Sequence, residues 1–149
     1  MEVATKVKHD FAVSLKWDEE SRNGIAQAGN RMPVSFSAPP EFGGADVAWS
    51  PEHLLAASLS SCYTTTFFYF VRLLKLDVRN FHLDVTMEIE KDGSGPFTAT
   101  KFILHPHIVF GVLPAQTIID NLLSKTKRYC IISNSVKGLI VVEPDVTAV

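Results

Sequence analysis

Residues 54–71 carry no charged side chain, and this stretch constrains the fold more than any other part of the sequence. Its length would suffice for a membrane-spanning helix. Many of its side chains, however, carry a hydroxyl or a thiol, which a helix buried in a globular protein tolerates because these groups bond back to the helix carbonyls. They are Ser58, Ser60, Ser61, Cys62, Tyr63, Thr64, Thr65, Thr66 and Tyr69. The composition predicts a central helix that is buried all round, and no membrane partner.

Three consecutive residues mark the start of this helix. Ser50 is a suitable N-cap, and Pro51 suits the first helical position because its missing N–H costs nothing there. Glu52 places a negative charge at the positive end of the helix dipole. Neither proline nor glycine interrupts residues 53–62, so we expect one unbroken helix over residues 50–76.

The length and composition of the chain limit its organisation and its partners. At 149 residues it has the size of one ordinary domain, and we expect residues 1–149 to form a single domain. Apolar residues make up 46% of the chain and charged residues 20%, and a buried interface between subunits would explain this apolar share. The net charge of −2, with both signs interspersed, indicates no nucleic-acid partner and no anionic membrane surface.

The two cysteines, Cys62 and Cys130, allow two interpretations. The N-terminus MEVATKVKHD lacks the pattern of a secretion signal, so we expect a cytoplasmic protein, in which cysteines are more often chemical than structural. A cysteine inside a buried helix is most often an inert small hydrophobe. Alternatively, the fold brings the two thiols together, and one resolves the sulfenic acid that forms on the other.

The N-terminal third of the sequence predicts a three-stranded meander followed by a loop. Apolar residues alternate imperfectly through residues 6–16, and a polar turn follows at residues 18–23. Short strands are predicted at residues 25–28 and 32–36. Prolines and glycines exclude a continuous strand or helix over residues 37–49.

The rest of the sequence predicts a hairpin, a second helix and a last strand. Apolar and polar residues alternate over residues 83–90, and residues 97–109 return as the hairpin partner, bent or at a sheet edge at Pro106. A helix with an apolar stripe is predicted from residue 113, and a strand over residues 139–143. The order of these elements predicts an α+β fold.

Three other kinds of site find weaker support. His105 and His107 share one face of a strand, but a metal site needs further ligands at a recognisable spacing, which the sequence lacks. A cysteine hydrolase needs a partner histidine, and none of the histidines lies in a local signature. The pair Gly43-Gly44 lacks the lysine and the spacing of a phosphate-binding loop.

Several motifs together make the sequence resemble the OsmC/Ohr family of thiol-dependent organic hydroperoxide reductases. The resemblance covers the whole chain in order, and the presence of both cysteine motifs makes it specific. The motifs are RNG at 22–24, SAPPEFGG at 37–44, SPE at 50–52, LLAA at 54–57, SCY at 61–63, CIISN at 130–134 and KG at 137–138.

The resemblance implies an enzyme and assigns its residues. Cys62 matches the family's peroxidatic cysteine, Cys130 its resolving cysteine, Glu52 its acidic partner and Arg22 its catalytic arginine, with Arg31 as the alternative. The implied reaction reduces organic hydroperoxides to alcohols in oxidative-stress defence, with no cofactor or metal. A dithiol, such as a dihydrolipoyl protein, is the implied electron donor. The implied fold has antiparallel sheets wrapped around a long central helix, in an intertwined homodimer.

Two residues depart from the family pattern. Ile131 stands where a proline usually follows the second cysteine, and Lys137 stands where arginine is frequent. The first departure bears on the geometry around Cys130 and on the rate of resolution more than on the peroxide step. The competing function is a non-catalytic dimer of the same fold that binds a small apolar ligand. The aromatic side chains that would line an apolar pocket, or belong to the ordinary core, are Trp49, Phe67 and Phe68.

The spacing along the helix adds a geometric expectation. Glu52 and Cys62 lie ten positions apart, which is roughly 15 Å along an unbroken helix at about 1.5 Å per residue. A glutamate side chain does not span that distance. If Glu52 and Arg22 serve the thiol, we expect them to come from the partner subunit, with the active site at a two-fold interface.

Overall fold

A computed structural model describes residues 4–149 of the chain. The chain divides into two compact units, Met1–Pro51 and Glu52–Val149. The expectation of a single domain over residues 1–149 stays a prediction. In chain order the elements are β1 (Ser14–Asp18), β2 (Asn23–Gln27), β3 (Val34–Phe36), a 3-10 turn (Pro40–Phe42), α1 (Pro51–Leu73), β4 (Val78–Glu90), β5 (Thr98–Phe110), α2 (Gln116–Tyr129), β6 (Leu139–Val142) and β7 (Asp145–Ala148).

The first unit contains a three-stranded antiparallel sheet in the order β1-β2-β3, as the sequence predicts. Its first strand begins at Ser14 and not at residue 6, because the pairing with β2 starts where Ser14 lies opposite Gln27. Apolar side chains in the preceding segment are exposed, with Val7 at 76% and Phe11 at 93%. The alternation at residues 6–16 therefore predicted too long a strand.

One face of this three-stranded sheet is entirely apolar. The register aligns two rows on this face, which are Leu15, Ala26 and Val34, and Trp17, Gly24 and Phe36. Phe36 packs over Gly24 so closely that an added Cβ would lie 2.2 Å from its ring. Leu15 is nevertheless 60% exposed and Trp17 47%. We call these six residues the apolar sheet face.

Helix α1 runs without a break from Pro51 to Leu73, so the sequence predicts it correctly apart from its last turn. It ends earlier than residue 76 because Lys75 adopts a left-handed conformation, with φ of 54°. The Leu76 N–H then bonds the Val71 carbonyl at 3.0 Å, which is the Schellman ending of a helix.

Only one side of α1 is buried within the chain, so the expectation of a helix buried all round is wrong for a single subunit. The buried side consists of Leu59, Tyr63, Phe67, Phe70 and Val71. The opposite side is exposed along Ser61, Thr65, Tyr69 and Leu73, which we call the exposed α1 stripe. Its hydroxyls bond back to the helix as predicted; for example, Thr65 Oγ1 donates to the Cys62 carbonyl at 3.1 Å.

The second unit packs α1 and α2 with a four-stranded sheet. β4 and β5 form an antiparallel hairpin, whereas β6 and β7 both run parallel to β5. The prediction of antiparallel sheets therefore does not hold for β6 and β7, and the sequence did not predict β7 at all. The parallel direction arises because the chain crosses back through α2 before it re-enters the sheet.

Pro106 lies in the middle of this sheet, although the sequence predicted a bend or an edge there. β5 is flanked by β4 on one side and by β6 and β7 on the other. Pairing with β6 ends where Leu104 lies opposite Val142, and pairing with β7 begins where His107 lies opposite Asp145. Pro106 falls between these two segments, where its missing N–H interrupts no ladder.

Two clusters of buried side chains form the core of the second unit. The cluster toward the end of α1 contains Phe67, Phe70, Val71, Ile108, Phe110, Ile119 and Leu122. The cluster toward the middle of α1 contains Leu59, Tyr63, Phe102, Leu104, Cys130 and Ile140. By length and composition α1 would suffice to span a membrane, but both clusters form along it, which indicates a core helix.

Candidate active site

The fold brings the two cysteines together within the second unit. Cys62 is partly buried in the middle of α1 and packs against the core cluster that contains Cys130. Cys130 is fully buried, and the Cys62 thiol is close enough to affect its ionisation. Both thiols are free. The structure therefore places one sulfur where a reagent can reach it and a second sulfur directly behind it.

Cys130 is held at the end of α2 by the loop that follows it. Its N–H continues the helix with a bond to the Thr126 carbonyl. Asn134 then binds the helix end twice, through its side-chain amide to the Arg128 carbonyl at 2.8 Å and through its backbone N–H to the Cys130 carbonyl at 3.2 Å. These bonds fix the position of the Cys130 sulfur.

The electrostatic surroundings of Cys130 favour its neutral thiol. Burial is the largest effect and raises the pKa of Cys130, because a thiolate loses its hydration there. The side chain and the backbone N–H of Ser133 act in the opposite direction, and the neighbouring Cys62 raises the pKa further. Ser133 Oγ meets no partner at good hydrogen-bond geometry, so we attribute its effect to a nearby dipole.

Tyr63 follows Cys62 directly and turns its ring into the same cluster as Cys130. Its side chain is completely buried, and its hydroxyl has no hydrogen-bond partner. Burial is the main cause that raises the pKa of Tyr63, and ionisation of Cys130 would raise it further, so the hydroxyl keeps its proton. The sequence analysis missed Tyr63, Ser133 and Asn134, although all three lie inside the two cysteine motifs.

Glu52 stands at the start of α1 with an unsatisfied carboxylate. Its Oε2 atom is buried and has no hydrogen-bond partner. Because α1 is unbroken, the distance from Glu52 to Cys62 of the same chain is the roughly 15 Å expected from helix geometry. Glu52 and Cys62 of one chain therefore do not meet.

The two candidate arginines both lie in turns of the first unit. Arg22 is exposed in the turn between β1 and β2, as predicted, and has a left-handed backbone with φ of 56°. Arg31 lies in the turn after β2, and its guanidinium bends back to the Ala28 carbonyl at 3.4 Å. The guanidinium of Arg31 is thus engaged within its own turn.

The predicted pocket aromatics take different positions. Phe67 is a core residue, completely buried and stacked on Phe81 with 4.7 Å between ring centroids. Phe68 packs against the same cluster, and Trp49, in the first unit, is 52% exposed. Phe67 and Phe68 therefore serve the core.

An open groove of about 510 Å³ lies between α1 and α2. Its lining includes Thr65, which bonds the Cys62 carbonyl, and Tyr129, the neighbour of Cys130 in sequence. Its lining is Thr65, Thr66, Tyr69, Phe70, Leu73, Lys125 and Tyr129. The sequence analysis did not predict this groove, because its two walls belong to separate helices.

The histidines considered as metal ligands face carboxylates. His107 lies between Asp84 and Asp145, at 3.5 and 3.4 Å, and His105 lies 3.3 Å from Glu143. Among residues 4–149, no group of three or more His, Cys, Asp or Glu side chains is arranged to hold a metal ion.

Comparison with known proteins gives the family. The family model for OsmC-like proteins matches residues 43–145. The chain belongs to the OsmC-like protein family. The match includes both cysteines, Glu52 and the whole second unit up to β7. Proteins of this family use cysteine chemistry without a prosthetic cofactor. No curated protein matches the sequence.

Solved structures confirm the α+β, OsmC-like fold over nearly the whole chain. An OsmC-like protein of unknown function from Vibrio cholerae aligns with 92% of this chain and 99% of its own, at 20% identity and a TM-score of 0.85. An organic hydroperoxide resistance protein from Elizabethkingia anophelis, with thiocyanate bound, aligns with 97% of this chain and 100% of its own, at 24% identity and a TM-score of 0.73. A putative organic hydroperoxide resistance protein from Vibrio cholerae, with captopril in one of its active sites, aligns over 95% of both chains, at 24% identity and a TM-score of 0.71.

Proposed function

We propose that this OsmC-like protein is a cysteine-based peroxidase that reduces organic hydroperoxides to alcohols in the defence against oxidative stress. The observation that carries the proposal is the pair of free thiols, with Cys62 partly accessible on α1 and packed against the core cluster in which Cys130 is buried. Organic hydroperoxide resistance proteins share the fold, which makes peroxide the first substrate to test.

In the first step the Cys62 thiolate attacks the terminal oxygen of the hydroperoxide. The O–O bond breaks, the alkoxide takes a proton and leaves as the alcohol, and Cys62 becomes a sulfenic acid. Only the thiolate is nucleophilic, so a cation near the sulfur promotes this step. The hydroperoxide is reduced by two electrons, and the Cys62 sulfur is oxidised by two.

In the second step Cys130 attacks the sulfenic sulfur, which forms the Cys62–Cys130 disulfide and releases water. A dithiol donor then reduces the disulfide and becomes a disulfide itself, which balances the two electrons given to the peroxide. Captopril, found in an active site of the Vibrio cholerae neighbour, carries a thiol, which supports access for a small organic thiol. A dihydrolipoyl protein remains the proposed donor, and the cytoplasm, where thiols stay reduced, the proposed location.

Arg22 and Glu52 complete the proposed site. The planar Arg22 guanidinium would stabilise the Cys62 thiolate and the negative charge on the leaving oxygen. The carboxylate of Glu52, whose Oε2 is buried and unpartnered, would accept two parallel hydrogen bonds from that arginine. Arg31 is the weaker candidate, because its guanidinium already contacts its own turn.

A homodimer would supply these residues across an interface. Two surfaces support it: the apolar sheet face, on which Leu15 and Trp17 are exposed, and the uncharged exposed α1 stripe. Apolar surfaces of this kind commonly mark protein interfaces. In a two-fold dimer, Cys62 of one subunit would meet Arg22 and Glu52 of the other, which avoids the 15 Å separation within one α1 helix.

The groove between α1 and α2 favours one alternative function. With a volume of about 510 Å³ and aromatic walls from Phe70, Tyr69 and Tyr129, it has the size and lining of a site for a small apolar ligand. A dimeric binding protein would use this groove without cysteine chemistry. The two functions differ in whether Cys62 is needed for turnover.

Peroxide consumption tests the proposal directly. With dihydrolipoamide as donor, we expect faster turnover of cumene or tert-butyl hydroperoxide than of hydrogen peroxide. Cys62→Ser should abolish turnover, whereas Cys130→Ser should allow one turnover and then accumulate sulfinic acid at Cys62. Ser94→Ala, a change in the exposed turn between β4 and β5, is the control. Equal consumption by wild type and Cys62→Ser would favour the binding protein.

A further inference from the structure

Two buried hydroxyls without hydrogen-bond partners lie in the motifs of the two cysteines. Tyr63 OH and Ser133 Oγ are buried and unsatisfied, as are Asn23 Oδ1 and Glu52 Oε2 among the described residues. A buried hydroxyl that makes no hydrogen bond costs about 1–3 kcal/mol. Two such hydroxyls in the motifs of the two cysteines indicate a state of the protein in which both form hydrogen bonds.

Cys130 is the ionisable neighbour that both residues share, since a negative charge on Cys130 raises the pKa of the Tyr63 hydroxyl and the Ser133 side chain lowers the pKa of Cys130. Tyr63 belongs to the same buried cluster as Cys130, and Ser133 lies three residues beyond Cys130 in the loop that Asn134 holds against the end of α2. A neutral thiol is a weak acceptor, whereas a thiolate accepts charge-assisted hydrogen bonds that are roughly twice as strong as neutral ones. The two hydroxyls would therefore form their strongest hydrogen bonds only when Cys130 is ionised.

We infer that the Tyr63 and Ser133 hydroxyls form a donor pair for the anionic sulfur of Cys130, which makes Cys130 the leaving thiolate when the disulfide is reduced. This inference rests on the proposed two-cysteine function. It adds two residues to the site and assigns an order to the sulfur chemistry, in which the donor attacks Cys62 and releases Cys130.

The balance of the reduction follows from this order. A thiolate of the dithiol donor attacks Cys62 Sγ, the Cys62–Cys130 bond breaks, and Cys130 Sγ takes the electron pair as a thiolate held by the two hydroxyls. The second donor thiol then displaces Cys62 from the mixed disulfide and closes the donor's own disulfide. Cys62 is the partly accessible sulfur and Cys130 the buried one, and a stabilised leaving thiolate departs faster.

A purely structural role predicts a different outcome for the same residues. Tyr63 would then be only a core aromatic, packed with Leu59 and Phe102. Tyr63→Phe would remove an unsatisfied hydroxyl and leave the reduced protein equally stable or more stable. In a purely structural role, Tyr63→Phe would not change the ionisation of Cys130. Measuring that ionisation therefore distinguishes the two interpretations.

The first experiment titrates Cys130 alone, in the Cys62→Ser background, by the ultraviolet absorbance of the thiolate. Tyr63→Phe and Ser133→Ala are each expected to lower the thiolate fraction at a fixed pH about tenfold, the effect of losing one hydrogen bond to a charged group. Tyr129→Phe and Ser135→Ala are matched controls, because Tyr129 is 55% exposed and Ser135 Oγ donates to the Ile131 carbonyl. Thiolate fractions unchanged from these controls would overturn the donor pair.

The second experiment uses the chain with both cysteines and measures disulfide reduction by dithiothreitol in stopped flow. We expect Tyr63→Phe and Ser133→Ala to slow reduction about tenfold, the same loss of one hydrogen bond to the thiolate, while sulfenic acid forms at Cys62 at the wild-type rate. The disulfide is prepared with diamide, so the reduction measurement does not depend on peroxidase activity. If Cys130 titrates and the disulfide is reduced as expected, but the wild-type protein does not react with hydroperoxides, the proposed function is refuted and the donor pair is not. Reduction at the wild-type rate in both variants would refute the leaving-group assignment.

Discussion

Ile131 follows Cys130 where a proline is usual in the resembling motif, and the structure explains how the site forms without it. A proline forces the preceding residue into an extended conformation. Cys130 already adopts that conformation, with φ of −67° and ψ of 113°, because the two bonds from Asn134 hold the end of α2. The side chain of Ile131 is 70% exposed, so no core contact depends on it.

Ile131→Pro is therefore expected to preserve the fold and to raise the free energy of unfolding by about 0.4–1 kcal/mol, through the lower entropy of the unfolded chain. Thermal unfolding of the reduced protein measures the change. Asn134→Ala, which removes the side-chain bond to Arg128, serves as the opposite control and should lower the melting temperature. A melting temperature for Ile131→Pro below that of wild type would show that the N–H of Ile131 is needed.

Arg22 occupies a turn position that suits glycine better than arginine, because non-glycine residues pay about 1–2 kcal/mol for a left-handed backbone. A residue kept at such a cost is a candidate for function. Arg22→Gly removes the guanidinium and relieves the strain together. It is thus a sharper variant than Arg22→Ala.

We expect Arg22→Gly to slow the alkylation of Cys62 by iodoacetamide at neutral pH about tenfold, because in the proposed site the thiolate would lose its stabilising cation, while the melting temperature stays equal or rises. The Cys130→Ser background restricts the measurement to one thiol. Arg31→Ala is the matched control and should react as wild type does. If instead only Arg31→Ala slows the reaction, the catalytic role belongs to Arg31.

At the scale of elements, β5 organises the second unit because three strands pair with it. β4 covers one edge along almost its whole length, and β6 and β7 share the other edge. The break between β6 and β7 coincides with Pro106. This arrangement explains why a central strand accepts a proline that would normally be confined to an edge.

Pro106→Ala is expected to lower the free energy of unfolding only through the loss of part of its fully buried ring, about 0.8 kcal/mol for each CH2 removed, because the restored N–H faces the break between two strands. Ile103→Pro, in a segment paired with both β4 and β6, is the control and should cost about 1–3 kcal/mol for the bond it removes. Urea unfolding compares the two. A large loss in Pro106→Ala would mean that the ring itself is needed in the core.

At the scale of the whole molecule, each unit leaves an uncharged surface exposed. The first unit exposes the apolar sheet face, and the second exposes the α1 stripe of Ser61, Thr65, Tyr69 and Leu73. Part of the large apolar share of the composition is thus exposed and does not belong to the core of a single chain. A second copy of the chain is the occupant that the proposed shared site requires.

Mixing subunits tests the shared site. Dimers of Cys62→Ser and dimers of Arg22→Ala are each expected to be inactive, yet their heterodimer should recover activity, because one of its two sites combines Cys62 from one chain with Arg22 from the other. Differently tagged subunits allow the heterodimer to be isolated. The reciprocal control pairs wild type with a chain carrying both changes, which should be inactive if the site is shared and half-active if each chain builds its own. No recovery in a verified heterodimer would refute the shared site.

The sequence by itself determined the elements whose signals are local. The uncharged stretch with Ser50 and Pro51 before it predicts α1. The alternation over residues 83–90 predicts the part of β4 nearest the hairpin turn. The polar residues 18–23 predict the turn that contains Arg22. The cysteine motifs led to the family, which the match over residues 43–145 confirms. Short-range periodicity, capping and turn chemistry need no knowledge of distant neighbours, so a single sequence carries them.

Only the tertiary structure decided the features that depend on distant partners. Apolar and polar side chains alternate over residues 6–13, but no strand of the described chain pairs with this segment. β7 has a weak local strand signal and forms because it pairs with the edge of β5. Pro106 is central because the opposite strand breaks there. Cys62 and Cys130 meet, with Tyr63 and Ser133 around them, because α2 and its loop return to the middle of α1. Such contacts are set by packing between elements, which the sequence of each element does not encode alone.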